Sequence, residues 1–399
     1  MENVKKENKF KTYYKSLNKN QKIAFYIVLV LAVMLITTCL ILLIGEIGTQ
    51  ININYAKNLE FIGSQYTPTC DENNYWTFQL DASDEDFKVL QVTDLHFGGG
   101  CFSLAKDKNA IDSIYSLVRY NKPDMIAITG DMVYSFCFSS GTQDNGKATK
   151  IAIALFDAIG IPYAPVLGNH DAENLMFKDR HEIGELWESG KYSLFRFQSG
   201  DGEDVYGEGN YVVNVKRADD SLHSSYIFMD TNSYIKDSAI GLGDYDGVHE
   251  DQIQWYKQEV DKLGGAKSFL FMHIPLPEYV DAWDSYLNGD PETKYYFGYR
   301  AEKSCPSANN TNLFDVIKEK GSTISVFCGH DHVNNFSVEY QGIRLTYGLS
   351  IDFLAYIGIK NSNFQRGCTI LTSYGEDNFD ISQCVLAGIA GYKKNYKIY

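Results

Sequence analysis

The stretch Gln91-Val-Thr-Asp-Leu-His-Phe-Gly-Gly-Gly100 decides how the rest of the chain is read. An apolar run from Val89 to Val92 feeds straight into Asp94 and His96. Two metal-binding side chains separated by one residue can point the same way from an extended turn, and the glycines behind them let the backbone bend tightly and leave room for a ligand. Four later stretches repeat the design of a short apolar run that breaks into Asp, Asn or His. They are Gly130-Asp131, Gly168-Asn-His-Asp171, His273 and Gly329-His-Asp-His332.

Around these stretches the chain alternates short β-branched runs with amphipathic segments. The run Val89–Thr93 precedes a helical pattern with Ile111, Ile114, Leu117 and Val118 on one face. Met125–Thr129 precedes another with Ile151, Leu155, Phe156 and Ile159, and Tyr163–Leu167 follows. This βαβαβ order predicts a parallel sheet with right-handed crossovers. Tyr211–Val215 and Ser225–Met229 read as strands of a second sheet, followed by a helix at Asp251–Leu263 and a strand at Ser268–Met272. Leu313–Lys318 predicts a short helix and Ile324–Cys328 a strand. Phe336–Tyr340 and Ile343–Tyr347 read as a hairpin around Gln341-Gly342, and Thr369–Leu371 with Ile381–Val385 as closing strands. Glu182–Tyr206 is polar and glycine-containing, and Tyr279–Asn310 is long, polar and aromatic and reads as a functional loop at the pocket rim. Gly241–Gly247 carries aspartates without the spacing of a calcium loop and reads as a turn.

In open parallel sheets ligands bind beyond the carboxyl ends of the strands. Five strand ends can therefore gather residues that lie far apart in sequence. Taken singly, an Asp after an apolar run serves as well to cap a helix, and a lone His as a satisfied core group. Taken together, in order, the set reads as one dinuclear metal site. Imidazole alongside carboxylate and amide suits Fe, Mn or Zn rather than Ca.

The N-terminus is a separate matter. Ile23 to Ile44 are 22 consecutive uncharged residues, after a flank of seven lysines and two glutamates. About 20 helical residues cross a bilayer core, so this is expected to be a transmembrane signal-anchor helix. A cleaved signal peptide has a shorter apolar region and a small-residue cleavage site, which is not evident here. The positive-inside rule keeps residues 1–22 cytoplasmic and sends the rest across, giving a single-pass type II membrane protein with its body extracytoplasmic. The expected organisation is a lysine-rich tail (1–22), the anchor (23–44), a polar stalk (45–74) and one catalytic domain (75–399). Sequons at Asn309 and Asn335 suit a translocated glycoprotein. Cys101 and Cys137 each follow a site motif and are candidates for pairing, although spacing does not prove it.

The formal net charge is −15 even with the basic tail included. A body this acidic repels polyanions, so nucleic acid is excluded as a bulk partner, and an anionic substrate needs local positive charge such as bound metal ions. Arg300, Lys303 and Arg366 could add to that attraction or serve as surface ion pairs.

The segments LQVTDLHFGGG, KPDMIAITGD, LGNHD, FMHIPLPEY and GHDHVNNF resemble the calcineurin-like metallophosphoesterase family, and within it the purple-acid-phosphatase-29/Dcr2-like branch. The resemblance spans roughly Phe87 to Leu371. It implies a four-layer α/β/β/α sandwich, here preceded by the transmembrane helix. It also implies that one metal takes Asp94, His96, Asp131 and His332 and the other Asp131, Asn169, His273 and His330. A water or hydroxide bridging the two ions would attack phosphorus. His170 would contact the phosphate and donate a proton to the leaving oxygen, with Asp171 orienting it. Tyr134 stands where purple acid phosphatases place an iron-binding tyrosine. Those enzymes typically lack a counterpart of His96, so Tyr134 is expected to pack beside the site rather than bind metal. The implied activity is hydrolysis of a phosphate monoester. A phosphodiesterase acting on a phospholipid, nucleotide or glycan-linked phosphate is the alternative, and an anchored binding protein without catalysis a third.

Overall fold

In the computed structural model, residues 9–173, 175–200, 202, 204–235, 244–309, 311–356, 359 and 366–389 are described. The first three residues of the predicted Gly241–Gly247 turn lie outside them, as do residues 1–8 of the basic tail and residues 390–399 of the expected catalytic domain. In chain order the helices are α1 (Lys9–Ser16), α2 (Lys19–Lys57), α3 (Leu104–Asn121), α4 (Cys137–Ser140), α5 (Asn145–Ile159), α6 (Arg180–Glu188), α7 (Glu250–Lys262), α8 (Glu278–Leu287) and α9 (Leu313–Lys320). The strands are β1 (Thr69–Cys70), β2 (Trp76–Gln79), β3 (Phe87–Val92), β4 (Met125–Thr129), β5 (Tyr163–Val166), β6 (Tyr211–Lys216) and β7 (Leu222–Phe228). They continue with β8 (Ser268–Phe271), β9 (Lys294–Phe297), β10 (Thr323–Cys328), β11 (Ser337–Tyr340), β12 (Ile343–Tyr347), β13 (Gly367–Ser373) and β14 (Phe379–Val385).

Two sheets form, in the orders β14-β13-β3-β4-β5 and β1-β2-β6-β7-β8-β10-β12-β11-β9. Strands β3, β4 and β5 run parallel, as the βαβαβ pattern predicts, with α3 and α5 as crossovers. Strands β7, β8 and β10 are likewise parallel. Both faces of these strands are covered, so nearly all their residues are buried, polar ones such as Gln91 and Ser224 included. In the larger sheet alternate residues face opposite ways. Tyr226, Phe228, Phe269, Phe271 and Phe327 enter the core shared with β3 and β4. Ile227, Leu270, Val326 and Cys328 turn to the other side, against Ile253, Tyr256 and Ile317 of α7 and α9. The result is the four-layer α/β/β/α sandwich.

Several loop and stalk expectations are corrected. Residues 45–57 are not irregular. α2 runs unbroken to Lys57, with Gly45, Gly48, Thr49, Asn52 and Ala56 buried. The stalk reading took polarity for disorder, but those polar groups are bonded: Thr49 Oγ1 donates to the Gly99 carbonyl at 2.8 Å and Asn52 Nδ2 to that of Leu104 at 3.0 Å. Tyr279–Asn310 contains α8 and β9, and Tyr279 is a core residue whose hydroxyl donates to the Val326 carbonyl at 2.8 Å. Glu182–Tyr206 overlaps α6, which a capping box at Asp179 and Glu182 starts. Cys101 and Cys137 are both free. Asn335 is only 8% exposed, and its amide donates to Gln383 Oε1, so that sequon is not presented at the surface.

Candidate metal centre

The two sheets bring the carboxyl ends of β3, β4, β5, β8 and β10 to one place. Asp94, Asp131, Asn169 and His273 are buried there, with His330 and His332 nearly so. Donor atoms of Asp94, His96, Asp131 and His332 lie within 4.8 Å of one another, and so do those of Asp131, His273 and His330. Asp131 belongs to both groups. Asn169 joins the second, with Oδ1 at 3.1 Å from His273 Nε2.

The backbone pays for this convergence. Asp94, His96, Asp131 and His330 adopt left-handed φ values of 51°, 50°, 51° and 77°. Such residues cost on the order of 1–3 kcal/mol each and persist only where surroundings hold them. Here β3 and β4 stay paired past their ends: the Asp94 amide donates to the Gly130 carbonyl at 3.1 Å and the His96 amide to that of Asp131 at 3.0 Å. Gly168 has to be glycine, because a Cβ there would lie 2.2 Å from Asp131 Oδ1.

The donor set fits cations. His273 Nδ1 donates to the Thr129 carbonyl at 2.8 Å, which fixes the tautomer. In the neutral ring Nε2 then directs a lone pair at Asn169 Oδ1, and at Asp131 Oδ2 3.2 Å away. Three acceptors converge with no proton to share, an arrangement a cation satisfies. Without one, burial pushes the His273 pKa down, but the negative charge of Asp131 overrides it and lifts it to about 9. Burial raises Asp94 to about 7. Burial also opposes ionisation of Asp131, yet the charges of His273 and His170 hold its pKa well below the usual range. His330 Nδ1 is buried without a hydrogen bond among the described residues, and burial pushes its pKa well down, leaving a neutral imidazole.

Three partners were missed in the sequence. Asp352 lies between two of the histidines, Oδ1 at 3.4 Å from His96 Nδ1 and Oδ2 at 3.6 Å from His332 Nδ1. Both rings thereby turn Nε2 inward, 3.5 Å from Asp131 Oδ2 and 3.6 Å from Asp94 Oδ1. The signal was present in Leu349-Ser-Ile-Asp352, another apolar run ending in Asp. Glu173 Oε1 accepts from His170 Nδ1 at 2.8 Å and from Tyr234 Oη at 3.2 Å. Tyr234 Oη in turn accepts from Asn169 Nδ2 at 3.1 Å, which orients that amide's oxygen toward His273.

Asp171 does not orient His170, contrary to expectation. Its carboxylate accepts from the amides of Gly168 (2.7 Å), Val133 (3.0 Å) and Asp131 (3.1 Å), clamping the β4 and β5 loops together. The burial of His170 lowers its pKa, but Asp131 and Glu173 outweigh that and raise it above the ordinary value. Tyr134 stands edge-on to His96 and His170, ring centroids 5.5 and 5.2 Å apart. Of the three cations considered from the sequence, Arg300 pairs with Asp284, and Arg366 is buried with Nε on the Asp352 carbonyl. Lys303 is exposed.

Comparison with known proteins agrees with this geometry. The chain is 30% identical over 305 residues to the Arabidopsis thaliana protein named probable inactive purple acid phosphatase 14, covering 69% of this chain and 72% of that one. It is 29% identical over 302 residues to probable inactive purple acid phosphatase 29 of the same plant, covering 68% and 73%. It is also 28% identical over 291 residues to phosphatase DCR2 of Saccharomyces cerevisiae, covering 68% of this chain and 49% of that longer protein. A family model for calcineurin-like phosphoesterases matches residues 87–334, from the first residue of β3 to just past His332. This protein therefore belongs to the calcineurin-like phosphoesterase family.

Proposed function

We propose that the protein is a membrane-anchored phosphomonoesterase. The observation that carries this reading is the single buried carboxylate, Asp131, common to two neighbouring donor groups with His170 beside them. Asp94, His96, Asp131 and His332 would hold one ion, and Asp131, Asn169, His273 and His330 the other. Fe, Mn and Zn suit that chemistry. Such a pair, when bound, neutralises phosphate oxygens and acidifies water.

The chain's own residues supply the rest. His170 is anchored at both ends, its amide donating to Asp131 Oδ1 at 2.8 Å and its Nδ1 to Glu173. Raised basicity keeps the ring protonated to higher pH, so it can give a proton to the departing alkoxide. Glu173 holds that proton donor in place, and Asp352 keeps His96 and His332 oriented toward the site. The full donor set is present, which supports catalysis rather than a binding role. An acidic body also gives a phosphate little to approach except the centre itself.

The exposed apolar length of α2 supports anchoring. From Ile23 to Ile44 its length is about 33 Å at 1.5 Å per residue, close to a bilayer core of about 30 Å. The lysines before it support a type II orientation with the catalytic domain outside the cytosol. The test is turnover of aryl phosphate monoesters and of bis-aryl diesters by the metal-loaded full chain. Faster diester hydrolysis would replace the monoester reading, and hydrolysis of neither would end both.

A further inference from the structure

We propose that the metal end of the sandwich faces the bilayer, seated by a collar of exposed apolar side chains, so that the enzyme takes phosphoesters carried on membrane lipids. This rests on the anchored-phosphoesterase reading and deepens it by naming a substrate class.

The argument begins with the direction of α2. Its contacts advance along α3 and α5 together. Near Gly45, just past the apolar span, a Cβ would lie 3.3 Å from the Cys101 amide, and Glu46 pairs with Lys147 at 2.6 Å. Further on, Asn52 bonds to Leu104 and Tyr55 Oη donates to Asp112 Oδ1 at 2.6 Å. Beyond α2, the Ile62 amide donates to the Ile159 carbonyl at 3.1 Å. The three helices thus point the same way, with the starts of α3 and α5 beside the end of the membrane span. In a parallel βαβ unit, helix starts lie at the carboxyl ends of the strands. Those are the ends that carry Asp94, His96, Asp131, Asn169 and His170.

The same end is apolar. Phe102 follows β3, Phe136 and Phe138 follow β4, and Leu175 and Phe177 follow β5. All five are exposed, Phe138 to 84% and Phe177 to 69%. They neighbour one another and the helix exit. A Cβ on Gly141 would lie 3.1 Å from Phe102, and the Phe177 amide donates to the Gln143 carbonyl at 3.1 Å. Exposed aromatic and aliphatic groups clustered on one face mark an interaction surface. Beside an apolar span, continuity makes the bilayer its occupant, since aromatic rings favour the membrane–water boundary. Rings also lead inward from the collar: Phe138 to Phe136 at 5.7 Å, Phe136 to Tyr134 at 6.4 Å, and Tyr134 to His170 at 5.2 Å. A headgroup phosphate could enter along this line while its acyl chains stay in the membrane.

The test uses the full chain reconstituted in phosphatidylcholine vesicles containing phosphatidate. Seating predicts that Phe138→Trp adds tryptophan fluorescence quenched by bromine-labelled acyl chains beyond the wild-type level. It also predicts that Phe102→Ser/Phe177→Ser lowers hydrolysis of vesicle-borne phosphatidate by about tenfold or more, from withdrawal of two apolar anchors, with soluble aryl phosphate turnover unchanged. Absence of added quenching, or an unchanged ratio of the two activities, overturns the proposal. Release of the wild-type chain by alkaline carbonate overturns anchoring and this inference together. Quenching without hydrolysis of either substrate upholds the seating and overturns the phosphoesterase reading instead.

Discussion

Glu173 Oε1 lies 2.8 Å from His170 Nδ1, three residues further along the same loop. The pairing gives His170 a fixed orientation and, together with the charge of Asp131, a raised basicity, which the adjacent Asp171 does not provide. Glu173→Gln is expected to lower kcat for alkyl phosphates by about ten- to a hundredfold, within the range of general-acid effects. Nitrophenyl phosphate, whose leaving group needs little protonation, should lose much less, and the metal content should stay the same. Equal losses on both substrates would show that Glu173 is only structural.

Asp131 is shared, so its loss should affect both ions. Asp131→Asn preserves volume but removes the charge. We expect elemental analysis to show fewer than two ions per chain. Turnover of aryl phosphate should fall roughly a thousandfold, corresponding to several kcal/mol of lost charge stabilisation. Near-normal turnover after metal loading would contradict the assignment.

Asp352 acts through the histidines it holds. Asp352→Asn should weaken metal binding by about 10–100-fold, the usual cost of losing such a partner. Competition titration with a chromophoric chelator measures this directly. Unchanged affinity would leave Asp352 only its contacts with the Leu354, Ala355 and Tyr356 amides.

Metal removal should also destabilise the fold. Buried Asp94 and Asp131 repel one another, with neighbouring histidines and a few hydrogen bonds to compensate. A ligand present at a hundred times its Kd contributes about 2.7 kcal/mol to stability. Dialysis against a chelator should therefore lower Tm by several degrees, and adding Mn or Zn should restore it in a scanning calorimeter.

The junction between α2 and the rest of the fold depends on close approach at Gly48. A Cβ there would fall 2.3 Å from the Leu104 side chain. Gly48→Leu should cost about 1–3 kcal/mol by overpacking. Adding Leu104→Ala should recover part of it, as thermal melts of the single and double variants can show.

Much of the candidate site was legible in the primary structure because its residues share one local pattern. Asp94, His96, Asp131, Asn169, His273, His330 and His332 each end an apolar run, and strand periodicity alone predicts where those runs stop. The parallel β3–β4–β5 core was legible for the same reason. Asp352 escaped because its partners, His96 and His332, lie 256 and 20 residues away in the chain. Glu173 escaped because Asp171, nearer in sequence, looked the natural partner of His170. Only the fold shows that backbone amides claim the Asp171 carboxylate first.

The chain's local pattern thus picked out the Asp, Asn and His residues that the fold gathers, where the strands end and how long the apolar span is. Only the tertiary structure decided which carboxylate meets which imidazole, that residues 45–57 continue the helix, and that its exit lies beside the metal end. Period and composition act over a few residues, whereas these outcomes depend on packing between segments far apart in the chain.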